Sequence, residues 1–305
     1  MTLAIIIPLI NEYPQALFTL RSVYEEVKDL DCEIIVVDNH CPSMPDFCGE
    51  PDKGHTHIPS MSGKWFRYLK YDAVCSHWQC KDFAVANTDA NYFLFLDAHI
   101  VPGRESISGM YQHYLTNYDY LHGTLHLPLT YHILETKRLR YKFVPELDKW
   151  FLTYKFETLQ PCNDPTTEVP CMSMCGCLMS REIYDAFEGW GPGYSIYGGG
   201  ENDMNFTLAT LGWKHWLYNP GTLFHHGERR GYQANQLQIV NNRAIAAYKY
   251  GGNVWLHNYL ICSGLPPFFQ VKLEKQITEL YQPIRDRIEK KQVIKIEDFI
   301  NKWNK

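Results

Sequence analysis

The stretch YFLFLDAHIVP, residues 92–102, places an acid and a histidine directly after a hydrophobic run. The run is short and apolar or aromatic throughout, which predicts a buried β-strand over residues 91–97. An aspartate after a strand commonly forms a turn with its own backbone. Alternate side chains of an extended backbone point the same way, however, so Asp97 and His99 also suit a shared ligand.

Two similar strands precede this one. LAIIIPLI (3–10) predicts a strand over residues 3–8, and EIIVVDNH (33–40) predicts another that ends at Asp38. Apolar residues recur between them in steps of three and four, which predicts a helix over residues 14–30. The order strand, helix, strand indicates a right-handed parallel unit, and such sheets bind ligands at the carboxyl ends of their strands. The polar residues just past these ends are Asn11, Glu12, Asp38, Asp97 and His99.

The remaining chain continues this α/β pattern. We expect a long loop over 41–66, helices over 72–88 and 104–118, a strand and helix over 176–187, a glycine-rich loop over 188–202, a helix over 201–212 and two short strands over 214–227. Residues 119–170 show no clear periodicity. From residue 236 the pattern is helical, and Pro283 should kink or divide the helix. We therefore predict a mixed sheet flanked by helices over 1–235 and a helical C-terminal extension over 236–305.

Composition restricts the function only loosely. The net charge of −5 gives no general attraction for polyanions, although a local groove could still be basic. The first apolar run covers only residues 3–10, so it predicts neither a secretory signal nor a membrane span. Ten cysteines without such a signal predict free thiols and a cytoplasmic location, in a bacterium or a virus-infected cell.

A second group of cysteines and histidines lies in and after the predicted long loop. Its members are Cys41, Cys48, His55, His57, Cys75, His77 and Cys80. Their spacing fits no compact zinc-finger pattern, so we expect unpaired residues here rather than a zinc site.

The predicted sheet could bring Asp97 and His99 together with a histidine of the late strands, either His225 or His226. One carboxylate and two imidazoles leave open positions on a divalent cation and are compatible with manganese or magnesium. Such an ion can hold a diphosphate and stabilise it as a leaving group. We prefer His225, which comes one step earlier on the strand. The following pair Arg229 and Arg230 either neutralises the diphosphate or is solvated.

Five motifs in the same order resemble glycosyltransferases of the GT-A fold. AIIIPLINEYPQA, EIIVVDNHCP and YFLFLDAH resemble family 2 glycosyltransferases, and residues 176–232 resemble polypeptide N-acetylgalactosaminyltransferases, which share the Asp-x-His motif, a GGEN loop and a later metal-binding histidine. The resemblance covers roughly residues 3–245. It implies a Rossmann-like nucleotide-binding sheet, with Asp97 and His99 on the metal and diphosphate. It also implies a nucleotide pocket formed by Pro8, Asn11, Glu12 and Asp38.

The resemblance further implies a hexosyl- or N-acetylhexosaminyltransferase that uses a metal ion and a nucleotide-diphosphate sugar, with a UDP-linked sugar as the expected donor. Inverting relatives place an aspartate base directly after the glutamate of this loop. This chain has Asn202 after Glu201, and an amide cannot take a proton, which favours retention with Glu201 orienting the sugar. Asp203 as the base of an inverting reaction remains the alternative. Glu201 could also be a helix-start acid that only bonds backbone amides.

Three further choices stay open in the sequence. Trp190 and Tyr197 either stack on a sugar or acceptor or pack in the core. The acceptor is expected to be a glycan or glycolipid, or a hydroxymethylated base in viral DNA, with proteins and small molecules as further alternatives. A sugar-nucleotide hydrolase or nucleotidyltransferase is the competing enzyme class, and a sugar-binding module is the non-catalytic one. The sequence predicts no particular oligomeric state.

Overall fold

The computed structural model describes residues 3–39, 54–61, 65–131, 137–226 and 234–304. The strands are β1 Leu3–Leu9, β2 Cys32–Asp38, β3 Arg67–Lys70, β4 Tyr92–Phe95, β5 Ile100–Pro102, β6 Gly123–His126, β7 Leu129–Thr130, β8 Leu139–Phe143, β9 Tyr154–Thr158, β10 Thr166–Val169, β11 Cys177–Ser180, β12 Lys214–Tyr218 and β13 Leu223–His225. The helices are α1 Gln15–Val27, α2 Gly54–Met61, α3 His77–Ala86, α4 Ser106–Thr116, α5 Tyr118–Leu121, α6 Arg181–Phe187, α7 Gly200–Thr210, α8 Gln236–Cys262, α9 Pro267–Lys291 and α10 Ile296–Trp303, with a 3₁₀ turn at Leu147–Lys149.

An eight-stranded mixed sheet forms the centre of the molecule, in the order β10-β12-β6-β11-β4-β1-β2-β3. β1 pairs in parallel with β2 and β4, so the predicted parallel unit is confirmed. Every residue of β1 is buried, as expected for a strand covered on both faces. β11 runs antiparallel to both β4 and β6, which makes the sheet mixed.

A second sheet of five strands, in the order β5-β13-β7-β8-β9, lies at the carboxyl end of β4. β13 pairs with β5, which follows Asp97 and His99 in the chain, and β8 and β9 form an antiparallel hairpin. The unassigned stretch 119–170 supplies β6 to β10. These strands are only two to five residues long, too short to show a clear periodicity.

The C-terminal region is helical, as predicted, but its helix is interrupted at a different residue from the one that the sequence predicted. α9 runs through Pro283 without dividing, whereas α8 is interrupted at Gly252, where φ is 74°. Glycine adopts this left-handed conformation without the strain that a side chain adds. Within the described ranges, no helix is long and apolar enough to cross a membrane.

α8 shares one hydrophobic core with the part of the chain that precedes it, because Ala244 and Tyr250 belong to the same buried cluster as Trp190 and Phe206. The domain boundary that the sequence predicts at residue 235 is not tested by this contact and stays a prediction. The long loop predicted over 41–66 is wrong in part, since α2 lies within it. The proline and glycine content that suggested a loop did not prevent a short helix.

Candidate active site

A cavity opens at the carboxyl ends of β1 and β4, where the two sheets meet. Pro8, near the end of β1, and Glu12, just after it, line the cavity, together with Asp97 and His99, which follow β4, and His225, which ends β13. The parallel pairing of β1 with β4 brings the first two groups to one edge of the sheet. The pairing of β13 with β5 sets His225 opposite Ile100, next to His99 in the chain.

Asp97, His99 and His225 form a cluster whose ligand atoms all lie within 4.8 Å of one another. His225 Nε2 is 3.2 Å from Asp97 Oδ2, and His99 Nε2 is 4.0 Å from the same oxygen. His226 is placed differently: its backbone N–H donates to the His99 carbonyl at 2.9 Å, and its side chain is not part of the cluster. Of the two histidines that the sequence left open, His225 is the one beside Asp97.

The residues of this cluster fit a divalent cation. His99 Nδ1 lies 2.6 Å from Glu12 Oε1, so the ring can donate to this carboxylate while Nε2 faces Asp97. Carboxylates commonly orient metal-binding histidines in this way. His225 Nδ1 is buried and has no hydrogen-bond partner among the described residues. Two imidazoles and one carboxylate are compatible with manganese or magnesium and leave room for oxygen ligands of a substrate.

Asp97 is strongly biased towards its anionic form. Burial alone would raise its pKa, but the hydrogen bond from His225 and the nearby rings of His77, His99 and His225 outweigh burial and hold the pKa well below its usual range. His77 Nε2 lies 3.7 Å from Asp97 Oδ1 and also contacts the buried Lys81 amine. Sequence analysis had grouped His77 with the zinc candidates, whereas the structure places it against Asp97.

Glu201 projects from the first turn of α7 into the same cavity. Tyr154 donates its hydroxyl to Glu201 Oε2. The other oxygen accepts from the Tyr141 hydroxyl at 3.4 Å, the Ser173 hydroxyl at 3.4 Å and the Met174 N–H at 3.5 Å. The side chain is therefore held mainly by hydroxyl groups rather than by the backbone amides of its own helix.

The two tyrosines stay protonated and can keep donating. Burial, reinforced by the charge of Glu201, raises the pKa of Tyr141 and of Tyr154 well above the usual range. Their rings are stacked with centroids 3.7 Å apart, on neighbouring strands of the β8–β9 hairpin. Sequence analysis missed both, because they belong to the stretch that showed no pattern.

Asn202 and Asp203, the other catalytic candidates, lie outside the cavity lining. Asn202 donates to the Leu152 carbonyl at 2.7 Å. Asp203 is fully buried, lies 2.9 Å from Lys249 Nζ and accepts from the hydroxyls of Tyr194 and Thr207. Burial raises the pKa of Asp203, and Lys249 opposes that rise. The structure thus gives these two side chains partners in the core.

Only part of the nucleotide pocket that the resemblance implied lies in the cavity lining. Pro8 and Glu12 line the cavity, but Asn11 and Asp38 do not. Asp38 is buried at the end of β2 and accepts from the Tyr68 hydroxyl. The next residue, Asn39, lines the cavity instead, and its amide donates to the Tyr71 and Val74 carbonyls.

The structure places two of the remaining candidates, and the others lie outside the residues that it describes. Trp190 is buried in the core, whereas Tyr197 lines the cavity. Arg229 and Arg230 lie outside the described residues, as do Cys41 and Cys48 and the side chain of His55, so the predictions for them are not tested.

No protein-family model matches the chain, and no curated protein matches it by sequence. Among solved structures, the chain is similar to GalNAc-T7, described with UDP, GalNAc and Mn²⁺, at a TM-score of 0.73 and 12% identity over 99% of this chain and 56% of that one. It is also similar to TarS of S. aureus, at a TM-score of 0.55 and 9% identity over 98% of this chain and 54% of that one. A TarS fragment, residues 1–349 in complex with UDP-GlcNAc, gives a TM-score of 0.53 and is covered over 89% of its length.

The chain spans about half the length of the first two of these proteins. At such low identity the likeness shows the fold. The chain has the GT-A fold, as its motifs predicted.

Proposed function

We propose that this protein is a metal-dependent glycosyltransferase that moves a sugar from a nucleotide-diphosphate sugar, UDP-linked, to an acceptor hydroxyl. The observation that carries the proposal is the presence of the Asp97, His99 and His225 cluster in one cavity with Glu201. The structures of GalNAc-T7 with UDP and Mn²⁺, and of TarS with UDP-GlcNAc, support this choice of ligands.

Asp97, His99 and His225 would hold Mn²⁺ or Mg²⁺, which when bound supplies positive charge for a diphosphate and for its departure. Asp97 is anionic at neutral pH because of its low pKa. Glu12 holds the His99 ring so that Nε2 faces the cluster. Pro8 and Asn39, at the ends of β1 and β2, would lie beside the nucleotide.

Glu201 would orient the donor sugar, as its two oxygens are already held in place by Tyr141, Tyr154 and Ser173. Three carboxylates line the described part of the cavity, and each is engaged: Asp97 and Glu12 with histidines and Glu201 with hydroxyls. Because each of these carboxylates is already engaged, we assign none of them as the general base of an inverting reaction, and the arrangement favours a retaining reaction. In it the acceptor oxygen bonds the anomeric carbon, the carbon–diphosphate bond breaks, and the leaving diphosphate oxygen takes the acceptor proton.

A glycan or glycolipid is the acceptor that we propose first. Tyr131, Tyr141, Phe156 and Tyr197 supply aromatic surface to the cavity wall, and sugar rings present apolar C–H faces that pack on such surface. A hydroxymethylated DNA base is the second acceptor to test, because a base rotated out of the duplex presents a flat face that can stack on the same aromatic side chains.

A donor screen tests the proposal. Nucleotide release is measured for a panel of UDP-, GDP- and TDP-sugars with Mn²⁺, with and without excess chelator. Acceptors are then compared by mass analysis, using glycans, hydroxymethylcytosine DNA, hydroxymethyluracil DNA and peptides. We expect release from a UDP-sugar that needs Mn²⁺ and rises with the right acceptor. Metal-independent release, or release by Asp97→Asn equal to that of the wild type, would overturn the proposal. Release without any glycosylated product would favour a hydrolase.

A further inference from the structure

The glycine-rich loop between α6 and α7, residues 188–199, leads directly into the candidate site. Ile196 and Tyr197 line the cavity, and Glu201 follows in the first turn of α7. Five glycines of this loop have positive φ: Gly189, Gly191, Gly193, Gly198 and Gly199. A backbone with so many left-handed residues has few regular hydrogen bonds, so its shape depends on the groups packed against it.

Asn242 of α8 holds the end of this loop. Its side chain is fully buried, and its Oδ1 accepts from the Ser195 N–H at 2.7 Å. Its Nδ2 donates to the Ser195 carbonyl at 3.0 Å and to the Tyr197 carbonyl at 2.9 Å. One amide thus pairs three backbone groups of the loop, on either side of the cavity residue Ile196.

The loop and α8 also touch through their backbones. A Cβ atom on Gly199 would come within 2.6 Å of the Asn242 carbonyl carbon and 2.7 Å of the Arg243 nitrogen. The glycine therefore allows α8 to approach the loop directly before Glu201. A shift of α8 would move the start of α7.

Lys249, two helical turns further along α8, holds the start of the loop. Its fully buried amine donates to the Gly189 carbonyl at 2.6 Å and pairs with Asp203 of α7 at 2.9 Å. Other elements hold the next residues: the Tyr281 hydroxyl of α9 donates to the Trp190 carbonyl at 3.0 Å, and Asp82 of α3 accepts from the Trp190 and Gly191 N–H groups.

We propose that α8 is part of the catalytic apparatus, with Asn242 and Lys249 as positioning residues that hold the two ends of the glycine-rich loop and thereby place Tyr197 and Glu201 in the cavity. This inference rests on the proposed function for its effect on turnover. Its structural part, the holding of the loop, is independent of which reaction is catalysed.

Asn242→Ala is the variant of choice, because Lys249→Met would leave Asp203 buried without its partner. Asn242→Ser is a milder version that also lacks the two-donor amide. Asn258→Ala is the matched control on the same helix, since among the described residues the Asn258 amide donates to the Val254 carbonyl of its own helix and not to the loop. Each variant is compared with the wild type by amide hydrogen exchange, by Mn²⁺ and UDP calorimetry, and by kinetics.

We expect Asn242→Ala to raise amide exchange at least tenfold in peptides covering 188–201, with β1 and β4 unchanged, and Asn242→Ser to do so less strongly. The value of kcat should fall about 10- to 100-fold. The Mn²⁺ and UDP affinities should stay within about twofold, because the metal candidates lie on other elements. Loop exchange equal to that of Asn258→Ala would overturn the inference, whether or not the protein transfers sugar. A loss of UDP affinity that parallels the loss of kcat would also overturn it, since it would indicate general damage. An inactive wild type with the expected change in loop exchange would count against the proposed function alone.

Discussion

Glu12 Oε1 lies 2.6 Å from His99 Nδ1, which joins the segment after β1 to the Asp-x-His segment after β4. The resemblance to known families implied that Glu12 belongs to the nucleotide pocket. Its hydrogen bond gives it a second connection, to the metal cluster. A carboxylate behind a histidine ligand sets which ring nitrogen carries the proton and which faces the metal.

Glu12→Gln is expected to weaken Mn²⁺ binding by about 10- to 100-fold, because a neutral amide no longer fixes the His99 ring. Calorimetry with Mn²⁺ in the absence of nucleotide measures this directly. Glu25→Gln on the exposed side of α1 is the control and should bind Mn²⁺ like the wild type. If Glu12→Gln bound Mn²⁺ normally and lost only UDP affinity, Glu12 would be a nucleotide residue alone.

Tyr154→Phe should lower kcat by about 10- to 100-fold, because Glu201 loses a charge-assisted hydrogen bond that holds it in the cavity. Tyr141→Phe should be milder, since that hydroxyl is 3.4 Å from Glu201. Steady-state kinetics measure kcat, and calorimetry should show UDP affinity unchanged in both variants. Equal, full activity in the two variants would show that Glu201 does not depend on the hairpin.

Asp203→Asn should destabilise the protein by about 3–5 kcal/mol, because it leaves the buried Lys249 ammonium without its carboxylate. The product anomer should be the same as that of the wild type. Urea unfolding gives the free energy, and proton NMR of early product gives the anomeric configuration. A variant that is inactive yet as stable as the wild type would support the alternative that Asp203 is the base of an inverting reaction.

The free energy of unfolding should fall as pH falls from 7 to 5. His126 and His215 are fully buried, and burial lowers their pKa values to about 3 and about 4. The unfolded rings bind protons near pH 6.5 while the folded rings stay neutral, so each destabilises the folded state by about 2 kcal/mol at pH 5. Urea unfolding at both pH values tests this. His215→Asn should lose less stability over the interval than the wild type, and an equal loss would contradict the assignment.

The features that sequence analysis predicted correctly depend on local patterns. Buried strands with charged ends can be recognised from a few consecutive residues, and β1, β2, β4 and the Asp-x-His segment were found in this way. The hydrogen-bond partners of Glu201 could not be recognised from a local pattern, because Tyr141, Tyr154 and Ser173 are distant from Glu201 in the sequence.

Adjacency in sequence was also misleading for residues 201–203. Successive residues of a helix point about 100° apart, so Glu201 enters the cavity while Asn202 and Asp203 turn into the core. The same limit applies to Asn242 and Lys249, whose contacts with the glycine-rich loop depend on how α8 packs.

The central claim is that Asp97, His99 and His225 bind a metal ion that holds a nucleotide diphosphate. Calorimetric titration of UDP with and without Mn²⁺, for the wild type and for Asp97→Asn, His99→Ala and His225→Ala, tests it most directly. We predict that UDP binds the wild type at least tenfold more tightly with Mn²⁺, and that each substitution removes this difference while the fold is retained. UDP affinity that is the same with and without Mn²⁺ in the wild type would contradict the claim.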